Sequence, residues 1–448
     1  AEHAAGAVLG LVLAVMALLG LMLALFGPVL MKLVLHRAPV ATRSDQIELG
    51  STLLVFFAPQ LLFYALNLVS TAVLNARGEY AAAVFAPLLN NMVVIGAYGL
   101  FAVLHSGPMD LDLTVAELWT LGAGTTVAVA VFCLFPFWAL TRSGFRLRPR
   151  WEPRHPVVIR LMSDGAWAGV FLGATQAVQF AVILIGGEVA GAIAAYGFAF
   201  VLFTLPHAIF AVPIMTTKFT PISASAARSE WHSVAELTSD GTRAILYTTL
   251  LSSAGLLAVA QPLAYLLTFG GGQANASSIA QGVLAFAPAI AGFGLLLFFT
   301  RVLYALGDSR TSALVNLGFS GIAILTMLTV FDQVPDGSIV WALALAVGAV
   351  QVGGAVALGS IVHLRLSSLG SPLEGILWPL ARSLACAGCA GFAGWMSSQA
   401  VGWEDLTHRC LGVLIGGSVA GALYLVGNYL LGGPTPVSGI TSFGEAQR

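Results

Sequence analysis

The sequence predicts an all-α protein that crosses a membrane many times. Hydrophobic residues make up 58% of the 448-residue chain and charged residues only 9%, whereas charged residues make up roughly 25% of an ordinary soluble domain. Many apolar runs reach about 20 residues, the length that a helix needs to cross a hydrocarbon core of about 30 Å. A repeated segment, described below, indicates that the helices form two related lobes.

Apolar runs bounded by polar residues, glycine or proline predict about 12 spans. They lie near residues 7–35, 50–75, 81–104, 114–140, 160–186, 189–215, 242–268, 278–305, 312–331, 338–363, 376–400 and 409–431. If the loops alternate between the two sides, the 19 lysine and arginine residues collect on one side, except for Lys32, Arg37, Arg43 and Arg409. Basic residues stay preferentially in the cytoplasm, so we expect both termini of this chain on that side and an even number of spans.

A basic stretch, TRSGFRLRPRWEPRHPVVIR at residues 141–160, separates two groups of spans. The expected divisions are an N-terminal lobe of four helices at 1–140, the linker at 141–160, a C-terminal lobe of six helices at 161–365, two further helices at 366–432 and a cytoplasmic tail at 433–448. Two interpretations of the linker remain open. It is either an ordinary determinant of topology or a patch whose arginines recruit an anionic substrate.

An internal repeat connects the two lobes. Residues 57–79, FAPQLLFYALNLVSTAVLNARGE, align with residues 286–308, FAPAIAGFGLLLFFTRVLYALGD, at a constant offset of 229. The shared features are Phe-Ala-Pro at the start and glycine followed by an acidic residue at the end. Both segments run from outside to inside in the expected topology, which makes the repeat parallel. If the lobes are equal, two helices precede Ala1 in the complete protein, which then has about 14 spans arranged as six, six and two.

Catalytic and cofactor motifs do not occur in the sequence. We find no HExxH, GxSxG or P-loop pattern, so we expect a protein that is not an enzyme and has no cofactor. The four cysteines, Cys133, Cys386, Cys389 and Cys410, do not form the paired CxxC spacing of a metal site, and we expect no metal. A net charge of −1 argues against a nucleic-acid partner.

Polar residues within the predicted spans are the candidates for a transport cavity, because such residues are costly in lipid and usually face a bundle interior or water. They are Gln60, Asn67, Asn75, Asn90, Asn91, Asp164, Gln176, Gln179 and Arg301. We take Asn67, Asn75, Gln176, Gln179 and Arg301 as the candidate substrate-binding residues. The alternative is that each amide only joins neighbouring helices, and that Arg301 extends to the headgroups.

The two ends of the repeat predict tight cytoplasmic turns. One contains Arg77, Gly78 and Glu79 and the other contains Asp308 and Arg310. Glycine supplies the left-handed residue that ends a helix, and a cation beside it interacts favourably with the helix dipole. These residues are either structural turns or parts of a gate in which Arg77 or Arg310 meets an acidic residue across the cytoplasmic opening.

Three segments carry a resemblance to a known family. Residues 56–95, FFAPQLLFYALNLVSTAVLNARGEYAAAVFAPLLNNMVVI, resemble the signature region of the MurJ (MviN) lipid II flippase family, within the multidrug/oligosaccharidyl-lipid/polysaccharide exporter superfamily. RVLYALGDSRT (301–311) resembles the equivalent turn of the second lobe, and LFTLPHAIFAVPIMTTKFTPISASAA (202–227) resembles the helix and exit loop near its start. The resemblance covers essentially the whole chain, beginning at the family's third helix.

The resemblance implies a fold and a function. It implies 14 helices in the full family fold: two six-helix lobes around a central cavity, with two C-terminal helices forming a groove for a long lipid tail. It also implies alternating access that carries undecaprenyl-pyrophosphate-linked peptidoglycan precursor from the inner to the outer leaflet of the bacterial inner membrane. The lipid-linked substrate, the bilayer and cell-wall synthesis proteins are the implied partners.

One departure from the family pattern affects the expected phosphate site. Cavity arginines bind pyrophosphate in relatives, and Val201 stands where the resemblance places one of them. The arginines of the family's first two helices lie outside this sequence. Either remaining basic residues such as Arg301 take that role, or the chain as given does not transport. The alternatives are an exporter of another lipid-linked glycan or small molecule, and a transport-inactive scaffold for cell-wall synthesis.

Overall fold

The computed structural model describes residues 2–105, 111–268, 273–371, 373, 375–402 and 405–433; the side chains at 163, 164, 273, 274 and 332 are outside this description. The described residues form helices and no strand. In chain order the helices are α1 (Glu2–Val34), α2 (Val40–Phe57), α3 (Gln60–Ala76), α4 (Ala81–Leu104), α5 (Val115–Arg142), α6 (Pro156–Gly186), α7 (Ala192–Pro206), α8 (Val212–Ala227), α9 (Trp231–Leu267), α10 (Gln273–Phe286), α11 (Ile290–Ala305), α12 (Ser309–Val330), α13 (Ile339–Ser368), α14 (Leu377–Val401) and α15 (Leu406–Leu430). The predicted tail at 433–448 falls outside the described residues except for Gly433.

The helices confirm the prediction of an all-α polytopic membrane protein. Among the described residues, ten helical stretches are long and apolar enough to cross a membrane, and the pair α2 and α3, bent by 41°, would be an eleventh. The stretch α7–α8 counts once, as does α10–α11. Helix α14 has 25 residues but is not among these stretches, because arginine, serine and glycine interrupt its apolar sequence. The count of about 12 spans therefore stays a prediction.

Contacts divide the chain into two compact units. Unit 1 is Ala1–Ala166 and unit 2 is Trp167–Arg448. In unit 1, α1 packs on α2 and α3, and α5 packs on α2, α3 and α4. In unit 2, α9 packs on α10, α11, α14 and α15, while α13 packs on α10, α11 and α12. The finer division into lobes, linker and extra helices stays a prediction.

The repeat is visible in the helices as well as in the sequence. Helices α1 to α5 correspond in order to helices α9 to α13, and the residue ranges of counterparts differ by nearly the offset of the sequence repeat. Counterparts also pack on corresponding neighbours: α1 packs on α2 and α3, and α9 packs on α10 and α11. Pro59 lies between α2 and α3, and Pro288 lies in a short 3₁₀ turn, Ala287–Ala289, between α10 and α11. Proline cannot donate a backbone hydrogen bond, so each Phe-Ala-Pro motif interrupts its span at the same place.

The ends of the two repeated helices share one hydrogen-bonding pattern. Gly78 and Gly307 both adopt φ of 77°, a left-handed conformation that glycine adopts without steric cost. The N–H of the following residue, Glu79 or Asp308, donates to the carbonyl five residues earlier at 2.9 and 2.8 Å. This is the six-to-one bond of a Schellman motif, so each of the two helices ends in a tight turn, whose cytoplasmic location and gating role stay predictions.

The linker lies along the first turns of α1 within unit 1. Phe145 and Leu147 alternate with exposed arginines and are buried in a cluster with Leu9. The N–H of Arg150 donates to the carbonyl of Gly6 at 2.9 Å. The alternation of buried and exposed residues is that of an extended chain, and it fixes the linker arginines on the outer face.

Candidate functional site

Helix α11 is buried in unit 2 except along one face. From Ile290 to Leu303 its residues are buried, apart from Phe293, Leu295, Leu297 and Arg301. Phe293, Leu297 and Arg301 are spaced four residues apart, and Tyr304, also partly exposed, continues the row. Residues at this spacing lie on one side of a helix. Arg301 is therefore the charged group of a narrow, otherwise apolar face, which we call the α11 open face (Phe293, Leu297, Arg301 and Tyr304).

The Arg301 guanidinium makes no hydrogen bond, ion pair or ring contact with any residue that the structure describes. It is partly buried and lies about 6 Å along the axis from the end of α11, at a rise of 1.5 Å per residue. A cation at this depth is costly unless it meets an anion, a backbone carbonyl or water. Its five donors remain available for an anionic ligand such as phosphate.

His207 lies next to the α11 open face. It begins a π-helical turn, His207–Ala211, between α7 and α8, in which the N–H of Val212 donates to the His207 carbonyl. The imidazole lies 4.3 Å from the Phe293 ring, measured between centroids, and within electrostatic range of Arg301. Its Nδ1 atom is buried and has no hydrogen-bond partner among the described residues.

Sequence reasoning missed His207. The available signal was the pair of prolines around it, Pro206 and Pro213, because Pro213 withholds the N–H that would continue a regular helix. Single π-helical turns inside α-helices are frequent at functional sites. The structure therefore adds a second polar group at the α11 open face, against Phe293.

The other candidates in unit 2, Gln176 and Gln179, stay predicted cavity residues. The Gln179 Oε1 atom accepts a hydrogen bond from the Tyr196 hydroxyl at 3.0 Å, which joins α6 to α7. Gln176 is exposed on α6. Asp164 belongs to unit 1, and its side chain lies outside the description. Asn316, which sequence reasoning did not single out, is buried and donates to the Phe171 carbonyl at 2.8 Å. A buried amide that joins two helices is the ordinary role of asparagine in a membrane bundle.

The candidates in unit 1 also include hydrogen-bonded side chains and an exposed one. Asn67 Oδ1 accepts from the Thr71 hydroxyl one turn later at 3.2 Å, and Asn75 is exposed at the end of α3. Gln60 donates to the Thr126 hydroxyl at 2.9 Å, which joins α3 to α5. Asn67 and Asn75 stay predicted cavity residues.

At the first turn, Arg77 and Glu79 lie together. Arg77 Nε donates to a Glu79 carboxylate oxygen at 3.1 Å, and Arg77 NH2 donates to the Ser143 carbonyl at 3.4 Å. Both side chains are about 40% exposed, and an exposed ion pair of this kind contributes about 0–1 kcal/mol. Arg77 therefore connects the turn to the start of the linker.

At the second turn, Asp308 is bonded to Arg365 of α13 rather than to Arg310. It also accepts from the Thr311 N–H at 3.0 Å and from the Thr311 hydroxyl at 2.6 Å, which caps the start of α12. Burial by itself raises the pKa of Asp308, but these hydrogen bonds and the Arg365 charge outweigh burial and lower it. Arg310 lies over the Trp167 ring at 5.5 Å.

Replacing Asp308 by alanine is expected to cost more stability than replacing Glu79, its counterpart in the repeat. Asp308→Ala removes a helix cap, worth about 1 kcal/mol, and leaves Arg365 without its carboxylate. Because the pKa of Asp308 is lowered on folding, its contribution is present above about pH 4 and is lost as the pH falls through the lowered value. Thermal unfolding midpoints of both variants, measured from pH 7 to pH 3, check this; equal midpoints for Asp308→Ala and Glu79→Ala at pH 7 would contradict it.

One described group of side chains has the composition of a metal site. His3, Glu152 and His155 place their ligand atoms within 4.8 Å of one another. However, Nδ1 of His3 faces an Arg150 N–H at 3.0 Å, and Nδ1 of His155 accepts from the Val157 N–H at 3.2 Å. A histidine that binds metal through one ring nitrogen normally donates from the other. The hydrogen bonds here oppose that arrangement, and the group is better explained as a contact between α1 and the linker.

Comparison with known proteins gives a consistent result. The family model described as "Lipid II flippase MurJ" matches residues 1–408. A protein of Vibrio cholerae named "Probable lipid II flippase MurJ" is 25% identical over 94% of this chain and 79% of its own length, and one of Rhizobium meliloti with the same name is 26% identical over 64% of this chain and 53% of its own.

Two solved structures share the fold. One, titled "Lipid II flippase MurJ, inward closed conformation", has a TM-score of 0.72 at 15% identity and covers 96% of this chain and 84% of its own. The other, an inward-facing multidrug resistance transporter of the MATE family, has a TM-score of 0.63 at 14% identity and covers 82% of each chain. At these identities the likeness establishes the arrangement of helices.

Proposed function

The chain belongs to the lipid II flippase MurJ family, and on this basis we propose that it moves a lipid-linked peptidoglycan precursor from the inner to the outer leaflet of a bacterial cell membrane. Family membership and a polytopic all-α fold support a transporter rather than an enzyme. The observation that carries the proposal within the molecule is Arg301, a partly buried cation on an apolar face with free donors.

We propose that Arg301 binds the pyrophosphate of the substrate. A guanidinium presents donors in a planar fork that matches phosphate oxygens, and the neighbouring His207 Nδ1 is a further polar atom on the same side of the helix. Val201, at the position where the resemblance expects an arginine, is 62% exposed on α7 and cannot bind an anion. Arg301 therefore takes over the charge-recognition role in this chain.

The interrupted helices provide bending points for a transport cycle. Pro59 and Pro288 interrupt corresponding spans, and the π-helical turn His207–Ala211 interrupts the α7–α8 stretch. Backbone groups that lose their helical partners at such sites are tolerated in membranes where neighbours or water re-satisfy them. We propose that these breaks bend as access alternates, and that Arg77, Glu79, Asp308 and Arg310 take part in gating at the cytoplasmic ends.

The proposed location is the bacterial inner membrane with both termini of this chain in the cytoplasm, as the distribution of basic residues indicates. Cell-wall synthesis proteins are proposed partners. An accessibility experiment with single cysteines in a cysteine-free background would test the orientation: a thiol at Arg37 should react from outside, and one at Arg228 only after the membrane is opened.

The function is tested by complementation and by a direct transport assay. The full-length gene is expressed in cells depleted of their own lipid II flippase, and translocation of labelled lipid II is followed in vesicles. Growth together with translocation supports the proposal. Normal membrane insertion without growth or translocation contradicts it and favours a scaffold, whereas export of a different lipid-linked glycan would reassign the substrate.

A further inference from the structure

Arg382, on α14, is the most deeply buried cation among the residues described. Its relative exposure is 7%. Its one hydrogen bond among the described residues runs from Nε to the Asn428 side-chain oxygen on α15, at 3.2 Å. That oxygen also accepts from the Ser383 hydroxyl at 2.9 Å. Among the described residues, Arg382 is therefore a shielded charge whose partner is neutral and already shared, with no carboxylate bonded to it.

A second donor without a partner lies close to Arg382. The Tyr247 hydroxyl of α9 is buried and has no hydrogen-bond partner among the described residues. The Tyr247 ring packs on Tyr424 of α15 with centroids 5.5 Å apart, and the Tyr424 hydroxyl donates to the Tyr247 carbonyl at 2.8 Å. Tyr424 connects the two groups, because its carbonyl accepts from the Asn428 side-chain N–H at 3.1 Å and the Asn428 oxygen accepts from Arg382.

The unmatched groups are donors that require an acceptor. An arginine has five N–H groups and no acceptor, and a tyrosine hydroxyl donates readily. A buried charge without a counter-charge is strongly unfavourable, and so is a buried donor without a partner. An anionic group with several oxygens would satisfy both residues together, and phosphate has the geometry that a guanidinium recognises best.

The position of Arg382 along α14 points to a lipid rather than to a deep cavity. Helix α14 has 25 residues and is about 38 Å long at 1.5 Å per residue, somewhat longer than the roughly 30 Å hydrocarbon core. Arg382 lies about 8 Å from the helix start. Its guanidinium is therefore near the membrane boundary, within reach of lipid phosphates. Gly433 also lies against the guanidinium, where a β-carbon would come within 3.1 Å of it.

We propose that Arg382 and Tyr247 form a binding site for the phosphate of an anionic membrane lipid, where α9, α14 and α15 meet. The lipid stabilises the packing of α14 and α15 on α9 within unit 2. This site is separate from the α11 open face, and its test measures lipid binding rather than transport, so failure of either proposal leaves the other standing.

The test is native mass spectrometry of the full chain released from micelles containing phosphatidylglycerol or phosphatidylcholine. We expect the wild type to retain phosphatidylglycerol in preference to phosphatidylcholine. Arg382→Gln should lower the occupancy of the most tightly held lipid by about tenfold, the value of a charge-assisted hydrogen bond. Tyr247→Phe, which keeps the ring contact with Tyr424, should lower it by a few-fold and guards against misfolding of the arginine variant.

Arg409→Gln is the matched control, because Arg409 lies at the opposite end of the same helix pair and contacts Tyr265. It should leave lipid retention unchanged. Competition with inorganic phosphate shows whether the site prefers a lipid phosphate to free phosphate. Displacement of the lipid only at high millimolar phosphate supports a lipid site, and equal affinity for free phosphate overturns it. Equal retention of both lipids by the wild type, or unchanged retention in both Arg382→Gln and Tyr247→Phe, would also overturn the proposal.

Discussion

Arg301→Gln is expected to lower the rate of lipid II translocation at least tenfold while the protein still folds and inserts. Glutamine has similar length but no charge, so it loses the charge-assisted hydrogen bonds to pyrophosphate, each worth about 1.5–3 kcal/mol. Initial translocation rates in vesicles, normalised to the amount of inserted protein, measure the effect.

The direction of the stability change separates a binding role from a structural one. Arg301 has no partner among the described residues, so its replacement by glutamine breaks no described contact and removes a costly charge from the membrane. We expect the thermal unfolding midpoint of Arg301→Gln to stay the same or rise. A functional residue that is itself destabilising is the expected signature of a ligand-binding charge.

Two further variants define the requirement at this position. Arg301→Lys keeps the charge but loses the bidentate fork, so it should retain an intermediate rate. Arg228→Gln is the control: Arg228 is an exposed arginine paired with Glu230 at 2.7 Å, and its loss should leave translocation unchanged. Wild-type rates in Arg301→Gln, or a lowered unfolding midpoint that accounts for its loss of activity, would contradict the assignment.

Local chemistry explains why parts of the fold could be predicted from the sequence. Proline always lacks its N–H, and glycine tolerates a left-handed conformation in any context. The breaks at Pro59 and Pro288 and the turns at Gly78 and Gly307 therefore follow from residue identity alone. The repeat strengthens these predictions, because a chance match between the two segments at one position is common, whereas chance matches at the proline and the glycine together are improbable.

The candidate site was less predictable because its chemistry depends on neighbours that are distant in sequence. Gln179 and Arg301 are both polar residues within apolar spans, and for each of them the sequence leaves a second role open beside a cavity role: a contact between helices for Gln179 and a reach to the headgroups for Arg301. Only packing shows that Tyr196 satisfies Gln179, whereas Arg301 has no described partner. Asp308 is a similar case, since its partner Arg365 comes from α13, 57 residues later in the sequence.

Gly10→Ala is expected to destabilise unit 1 and release the linker from α1. A β-carbon at Gly10 would lie 1.9 Å from the Arg150 carbonyl oxygen and 2.5 Å from its carbon. Both are backbone atoms, which cannot move aside as a side chain does. The linker must shift, and the bond from the Arg150 N–H to the Gly6 carbonyl is strained or lost.

The competing terms give the size of the effect. Alanine favours a helix over glycine by about 1 kcal/mol, whereas overpacking costs about 1–3 kcal/mol and a lost hydrogen bond about 1 kcal/mol. The net result is a destabilisation of about 1–3 kcal/mol. Phe145 and Leu147 remain anchored in their cluster, so the linker should loosen mainly beyond Leu147, around Arg150.

Gly96→Ala on α4 is the control without a steric term, because a β-carbon at Gly96 meets nothing within 4 Å. It should leave the unfolding midpoint unchanged or raise it, since only helix propensity acts there. Limited trypsin digestion reports on the linker itself, where Arg146 and Arg150 are cleavage sites and Arg148, which precedes Pro149, is not. Gly10→Ala should be cut faster there than the wild type, and Gly96→Ala at the wild-type rate. If Gly10→Ala and Gly96→Ala shift the midpoint equally, the linker does not lie against α1, and the outward orientation of its arginines is wrong.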